Sequence, residues 1–264
     1  MKKLIFFSLF SLLSFHFSFA QTADEIVENY LKTIGGKEKL SKIKAIHIKA
    51  KTITQGMEIP VNMFMTADGK QYMEFELQGK KLVQQAFDGK TAWHTNMMNM
   101  KNEKFDNETT ENFKRNSKDE FPNPFLNYKE KGFKIELIGK EEVEGTETYK
   151  IKLTEHPLLV EGKEVSKETY YYFDTENFIP VVVEEEIKKG QFKGAKIQQI
   201  YSDYQEVDGI YFPFNTATKF NGMIGSEVKI ESMEINPQID EKMFVFKENK
   251  TEAPQVKSQV KEKK

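Results

Sequence analysis

The sequence predicts a mainly β domain with a few helices, built as an antiparallel sheet curved around an apolar cavity. Three observations carry this expectation. From Lys44 onward, apolar and polar residues alternate run after run, at the period of two that marks half-buried strands. Short turn signals punctuate the runs, among them Gln55-Gly56, Asp68-Gly69, Gly79-Lys80, Asp88-Gly89 and Asp208-Gly209, as tightly connected antiparallel strands require. A helix-period segment precedes the first strand, and its apolar face needs a surface to lie on.

The chain of 264 residues starts Met1-Lys2-Lys3, runs apolar from Leu4 to Phe19 and reaches Ser18-Phe19-Ala20. A basic start, a short apolar stretch and a small-residue ending describe a secretory signal over residues 1–20, with Gln21 as the first mature residue. The apolar stretch is short for a membrane span, and none of that length follows. An exported chain without cysteine must be held by an ordinary core rather than by disulfides. It also lacks thiol chemistry, cysteine metal sites and a cysteine behind the leader to carry lipid, so it is expected in the periplasm without a lipid anchor. The formal charge is −2 and the leader holds two lysines and no acid, which leaves the mature chain slightly acidic and without a basic field for nucleic acid. Arg115 is the only arginine, so bidentate recognition of phosphate or carboxylate has almost no donor.

Each element follows in order. Thr22 to Glu25 has the form of a capping box. Ile26, Val27, Tyr30, Leu31 and Ile34 then share one helical face, and Gly35-Gly36 ends the helix. A short second helix spans Lys37 to Ile43. Strands follow with Ile46, Ile48 and Ala50; with Ile59, Val61, Met63 and Met65; with Met73, Phe75 and Leu77; then Leu82 to Phe87 and Thr91 to Thr95. The polar stretch Asn102 to Lys118 and the bend Phe121-Pro122-Asn123-Pro124-Phe125 make a helical or loop cover. Strands resume with Phe133, Ile135 and Leu137, with Tyr149 to Leu153, Thr169 to Phe173, Pro180 to Ile187, Ile197 to Tyr204, Tyr211 to Phe220 and Val228 to Ile235. The total is about eleven or twelve, in the style of a barrel or sandwich. A single domain over residues 21–247 is expected, with a disordered, lysine-rich tail over 248–264.

No catalytic constellation stands out. His47, His94 and His156 are the histidines past the leader, and none has a partner at metal-ligand spacing. The nucleophile-elbow, phosphate-loop and dinucleotide patterns are missing from the sequence. The acids of Glu184-Glu185-Glu186 suit a solvated strand, and Asp174 with Glu176 suits a turn. The stretch Phe87 to Met100 holds the only tryptophan, Trp93, and the methionines Met97, Met98 and Met100. Thioethers can bind soft copper, fill gaps in a core, or line a site for variable apolar shapes. Their position at a strand end favours the lining, near the mouth of the cavity.

Several segments resemble the outer-membrane lipoprotein-sorting family, the LolA/LolB-like superfamily of periplasmic carriers. They are Ala23-Asp24-Glu25-Ile26-Val27 through Gly35-Gly36-Lys37-Glu38-Lys39-Leu40, Phe87-Asp88-Gly89-Lys90-Thr91-Ala92-Trp93, Tyr172-Phe173-Asp174 with Pro180-Val181, Tyr204 to Pro213, and Phe244. The resemblance implies an incomplete antiparallel β-barrel curved around helices, with an apolar cavity for acyl chains, no cofactor and no catalysis. It implies lipoprotein acyl chains or lipid as partners, together with an inner- or outer-membrane partner protein, and a monomer. Family carriers hold a helical lid closed with an arginine on an early strand; here no arginine precedes Arg115. The expected lining is Phe64, Met73, Phe75, Phe87, Trp93, Met97, Met98 and Met100. The alternatives are an envelope interaction module with a filled barrel, and a hydrolase built on clustered acids or histidines.

Overall fold

The structure, a computed structural model, describes residues 21–248. The expected leader and the tail past Glu248 lie outside the described residues. Helix α1 spans Ala23–Thr33 and begins with the expected capping box. The Thr22 hydroxyl accepts from the Glu25 N–H at 3.2 Å, and the Glu25 carboxylate accepts from the Thr22 N–H at 2.8 Å. Two otherwise orphaned donors are thereby satisfied. Its buried face is Ile26, Val27, Tyr30 and Leu31. The chain then turns at Gly35, where φ is +123° and an added Cβ would lie 2.6 Å from the Gly209 carbonyl oxygen. Only glycine fits so close an approach. The short helix α2, Lys37–Ser41, follows.

Six strands come next: β1 (Ala45–Thr54), β2 (Met57–Thr66), β3 (Gln71–Leu77), β4 (Lys80–Phe87), β5 (Ala92–Asn96) and β6 (Lys101–Lys104). Helix α3, Asn107–Glu120, interrupts the sheet, capped by Asp106, whose carboxylate accepts from the Thr109 N–H at 2.6 Å. The second half holds β7 (Lys134–Val143), β8 (Thr146–Thr154), β9 (Leu158–Val160), β10 (Lys163–Val165), β11 (Glu168–Asp174), β12 (Pro180–Glu186), β13 (Lys196–Val207), β14 (Ile210–Phe220) and β15 (Met223–Ile235).

Thirteen of these strands form one antiparallel sheet in the order β6-β5-β4-β3-β2-β1-β15-β14-β13-β12-β11-β8-β7, while β9 and β10 form a separate hairpin. The first and last strands pair at its centre, and the middle of the chain supplies both edges. The sheet does not close, which agrees with the expected incomplete barrel. It contains one strand more than the sequence shows on that side: β6 is four polar residues and carries no alternation.

The sheet wraps α1. Ile46, Ile48 and Ala50 of β1, Ile151 and Leu153 of β8, Phe173 of β11 and Ile210 of β14 share one buried cluster with Ile26, Val27, Tyr30 and Leu31. Strands far apart in the sheet order reach the same helix, so the concave face is the core. The bend after α3 adds Phe125, Leu126 and Tyr128 to that cluster, and the Lys131 ammonium donates to the carbonyls of Asp119 (2.5 Å) and Asn123 (3.2 Å) at the end of α3.

The convex face is covered too. Val83, Ala86 and Trp93 form a second cluster with Tyr72 and Phe246. The Trp93 indole N–H donates to the Phe244 carbonyl at 2.7 Å, which fixes the C-terminal segment across β4 and β5.

Candidate functional site: an apolar cavity under the first helix

The registers settle which side chains face inward. Ile48 pairs with Met63 and Met63 with Met73, placing all three on the concave face. One residue along, His47 pairs with Phe64, Phe64 with Tyr72, Tyr72 with Ala86 and Ala86 with Trp93. A row of side chains on one face must lie opposite to the row beside it, so this second row is convex.

Between the concave face and the helices lies a cavity of about 390 Å³. Its roof is Tyr30 of α1, Ile34 just past its end, Leu40 of α2 and the rigid bend Pro122-Asn123-Pro124. Its floor is Ile48, Met63, Val228, Ile230 and Met233 from β1, β2 and β15. Its far wall comes from Tyr171 and from Gln199, Tyr201, Tyr204, Phe212 and Thr216 of β13 and β14. Asp203 takes a left-handed backbone with φ 53°. It breaks the alternation, and Tyr201 and Tyr204, three residues apart, both line the cavity.

The wall is aromatic and uncharged. Burial pushes the Tyr30 phenol up to about 12 and holds Tyr171, Tyr201 and Tyr204 well above the ordinary tyrosine range. Their hydroxyls stay neutral at any physiological pH, and those of Tyr30, Tyr201 and Tyr204 spend hydrogen bonds on the protein. The Tyr30 hydroxyl accepts from the Asn123 amide at 2.7 Å, Tyr204 donates to the Pro180 carbonyl at 2.7 Å, and Tyr201 donates to Gln199 at 2.8 Å. Such a lining offers contact area and few polar demands, as suits an apolar ligand.

A second, polar groove of about 350 Å³ runs between α3 and the sheet, past Gln71, Gln85, Glu120 and Lys167. Beneath it the Lys167 ammonium bridges Glu120 and Glu155, the latter at 3.1 Å. Burial works against the Lys167 charge, but the two carboxylates outweigh it and hold the ammonium above its ordinary value. Glu155, buried beside Lys167 and Glu120, is raised chiefly by desolvation. One cation between two acids ties α3 to the strands. The sequence gives no hint of this cluster, whose members come from α3, the loop after β8 and the loop before β11.

The eight residues expected to line the cavity do not assemble there. Met73, Phe75 and Phe87 do face inward, but none of them touches the apolar cavity. Phe87 instead stacks on Phe113 of α3 at 5.4 Å. Phe64 and Trp93 lie on the convex face, Phe64 stacked on His47 at 4.0 Å and Trp93 buried under the C-terminal segment. Met97, Met98 and Met100 belong to the β5–β6 turn and point to solvent, Met98 with 96% of its surface exposed. They form a hairpin tip, not a passage into the cover. The residues that do build the cavity carry the expected chemistry from other places, and only Met63 and Met233 among them are methionines.

The histidines have separate neighbourhoods. His94 stacks on Phe105 at 4.5 Å, and His156 lies 3.3 Å from the Asp119 carboxylate. Among the described residues no three His, Asp or Glu side chains converge as metal ligands. Arg115 sits on α3 and pairs with Glu164 of β10 at 2.7 Å.

No family model matches the sequence, and no curated protein does. Solved structures share the fold. A LolA superfamily protein from Nitrosomonas europaea aligns over 86% of this chain and 99% of its own, with a TM-score of 0.52 and 12% identity. A DUF1329 family protein from Desulfovibrio piger aligns over 86% and 98%, with a TM-score of 0.53 and 12% identity. A domain from Vibrio parahaemolyticus named for outer membrane lipoprotein sorting aligns over 83% and 94%, with a TM-score of 0.51 and 9% identity. The chain has the LolA-like fold, and at these identities the likeness concerns the fold.

Proposed function

We propose that this protein binds an acyl chain, of a lipid or a lipidated protein, in the cavity under α1 and carries it through the periplasm. The observation that carries the reading is the cavity itself: about 390 Å³, walled by aliphatic and neutral aromatic side chains between helix and sheet. That volume lies within the ~300–1,000 Å³ of ordinary small-ligand sites. Each methylene moved from water into such a wall gains ~0.8 kcal/mol, so a modest length of acyl chain supplies useful affinity without charge pairing. The fold shared with a domain named for lipoprotein sorting supports the same reading, as does the leader-like start of the sequence. No step of the reading needs a reacting group, and a carrier role accounts for a cavity whose Tyr30, Tyr201 and Tyr204 hydroxyls are bonded to the protein.

The test is native mass spectrometry of the protein purified from the periplasm without detergent, followed by solvent extraction. The expected result is a bound species of lipid mass released on unfolding. Protein that is consistently empty, and that takes up no fatty acid or phospholipid when these are offered, contradicts the reading.

A further inference from the structure

The concave floor continues past the cavity to one end of the strands. Thr216 and Val228, both in the cavity wall, pair across β14 and β15. Four residues further along β14, on the same face, Phe220 pairs with Ile197 on one side and Met223 on the other. Here the lip of the sheet is apolar and exposed: Met57 at 52%, Phe192 at 50%, Met223 at 72% and Ile224 at 68%. They sit on three neighbouring connections. The Thr54 hydroxyl donates to the Gly225 carbonyl at 3.2 Å, tying the β1–β2 turn to the β14–β15 turn. Phe192, in the β12–β13 loop, meets Phe220 edge-on at 5.1 Å.

One loop of the same lip carries lysines. Residues 187–196 contain Lys188, Lys189, Lys193 and Lys196 and no acid. Lys188, Lys189 and Lys196 pair with Glu186, Glu108 and Glu184 at the base of the loop, while Lys193, beside Phe192, is exposed and makes no ion pair among the described residues.

We propose that this lip docks on a bilayer surface containing anionic lipid. Met57, Phe192, Met223 and Ile224 enter the boundary between headgroups and acyl chains, and the lysines of the β12–β13 loop lie against the headgroups. The shape favours a bilayer over a protein partner. The four side chains stand on three separate turns. A folded partner would have to match three turns at once, whereas a fluid interface admits each tip independently. Lysines among apolar tips complement anionic headgroups within a short screening distance. The proposal rests on the carrier reading for its purpose, since the floor of the cavity runs to this lip, but its geometry stands by itself.

The test is flotation of the purified chain with vesicles of phosphatidylcholine alone and of a phosphatidylcholine–phosphatidylglycerol mixture. The wild type should float with the mixed vesicles, less so at high salt. The combined variant Phe192→Ser, Met223→Ser and Ile224→Ser should keep the wild-type far-UV circular dichroism spectrum, lose only the Phe192–Phe220 edge contact from its packing, and lose binding by ~tenfold or more. Lys188→Gln, Lys189→Gln and Lys193→Gln together should weaken binding to the mixed vesicles only. Absence of wild-type flotation, or equal flotation of the serine variant, overturns the proposal. So does a wild type that self-associates without vesicles through the same side chains, which would make the lip a contact between copies. If vesicles bind but no acyl probe enters the cavity, the carrier reading falls and the lip stands.

Discussion

Trp93 and Phe244 are joined across most of the chain: the indole N–H of one donates to the backbone carbonyl of the other at 2.7 Å, and both residues are buried. This bond makes the C-terminal segment a working part of the sheet. It covers Val83, Ala86 and Tyr72 on the convex face, with Phe246 set edge-on to Trp93 at 6.0 Å. Trp93→Phe removes part of a buried ring and leaves the Phe244 carbonyl without its donor. The expected cost is about 1–3 kcal/mol, seen as a lower urea midpoint by circular dichroism. Acyl-probe affinity should not change, because Trp93 is on the face away from the cavity.

Thr22→Ala removes one half of the capping box on α1, the helix that roofs the cavity. The loss should be ~0.5–2 kcal/mol in denaturant unfolding. A change below that range would mean that packing of Ile26, Val27 and Leu31 alone holds the helix start.

Glu155 sets a pH dependence. Its carboxyl is raised in the folded state by burial and by Glu120, so the native chain holds a proton that the unfolded chain releases. Stability should therefore fall as pH rises from the ordinary glutamate range through the raised folded value, with the loss complete above it. Glu155→Gln should flatten this fall while Glu120 keeps Lys167 paired. Urea midpoints across that window check it, and equal slopes for the two proteins would count against the assignment.

Much of the architecture is legible in the sequence. The capping box, the glycine stop at Gly35 and the hairpin signals place α1 and most of β1 to β5 directly, because local geometry dictates those residues. The face of each strand is not legible. In β4, Leu82 and Val83 are neighbours and both buried, as are Ala86 and Phe87, because the sheet is covered on both sides. Alternation reports which face is dry only when the other is wet. That is why Phe64 and Trp93, large and apolar, point away from the cavity. The methionines Met97, Met98 and Met100 mislead for a related reason: a hairpin tip tolerates apolar side chains that nothing covers. The cavity wall at Tyr201 and Tyr204 depends on the local twist at Asp203, and the Glu155–Lys167–Glu120 cluster on three segments meeting. Neither leaves a local pattern to read.

Met98→Ala, at the β5–β6 tip, should change stability by no more than ~0.5 kcal/mol and leave acyl-probe affinity as in the wild type. A loss of probe binding would return the tip to the site.

The central claim is that the space under α1 holds an acyl chain. Titration with an environment-sensitive fluorescent fatty acid tests it most directly, comparing the wild type, Met98→Ala and Ile230→Trp. Ile230 stands in the cavity floor, half-buried against the main core cluster, and an indole there fills the space. The account predicts saturable binding by the wild type and Met98→Ala, and affinity reduced ~tenfold or more in Ile230→Trp, equivalent to the displacement of about two buried methylenes. No saturable binding by the wild type, or equal affinity in a folded Ile230→Trp, would contradict it.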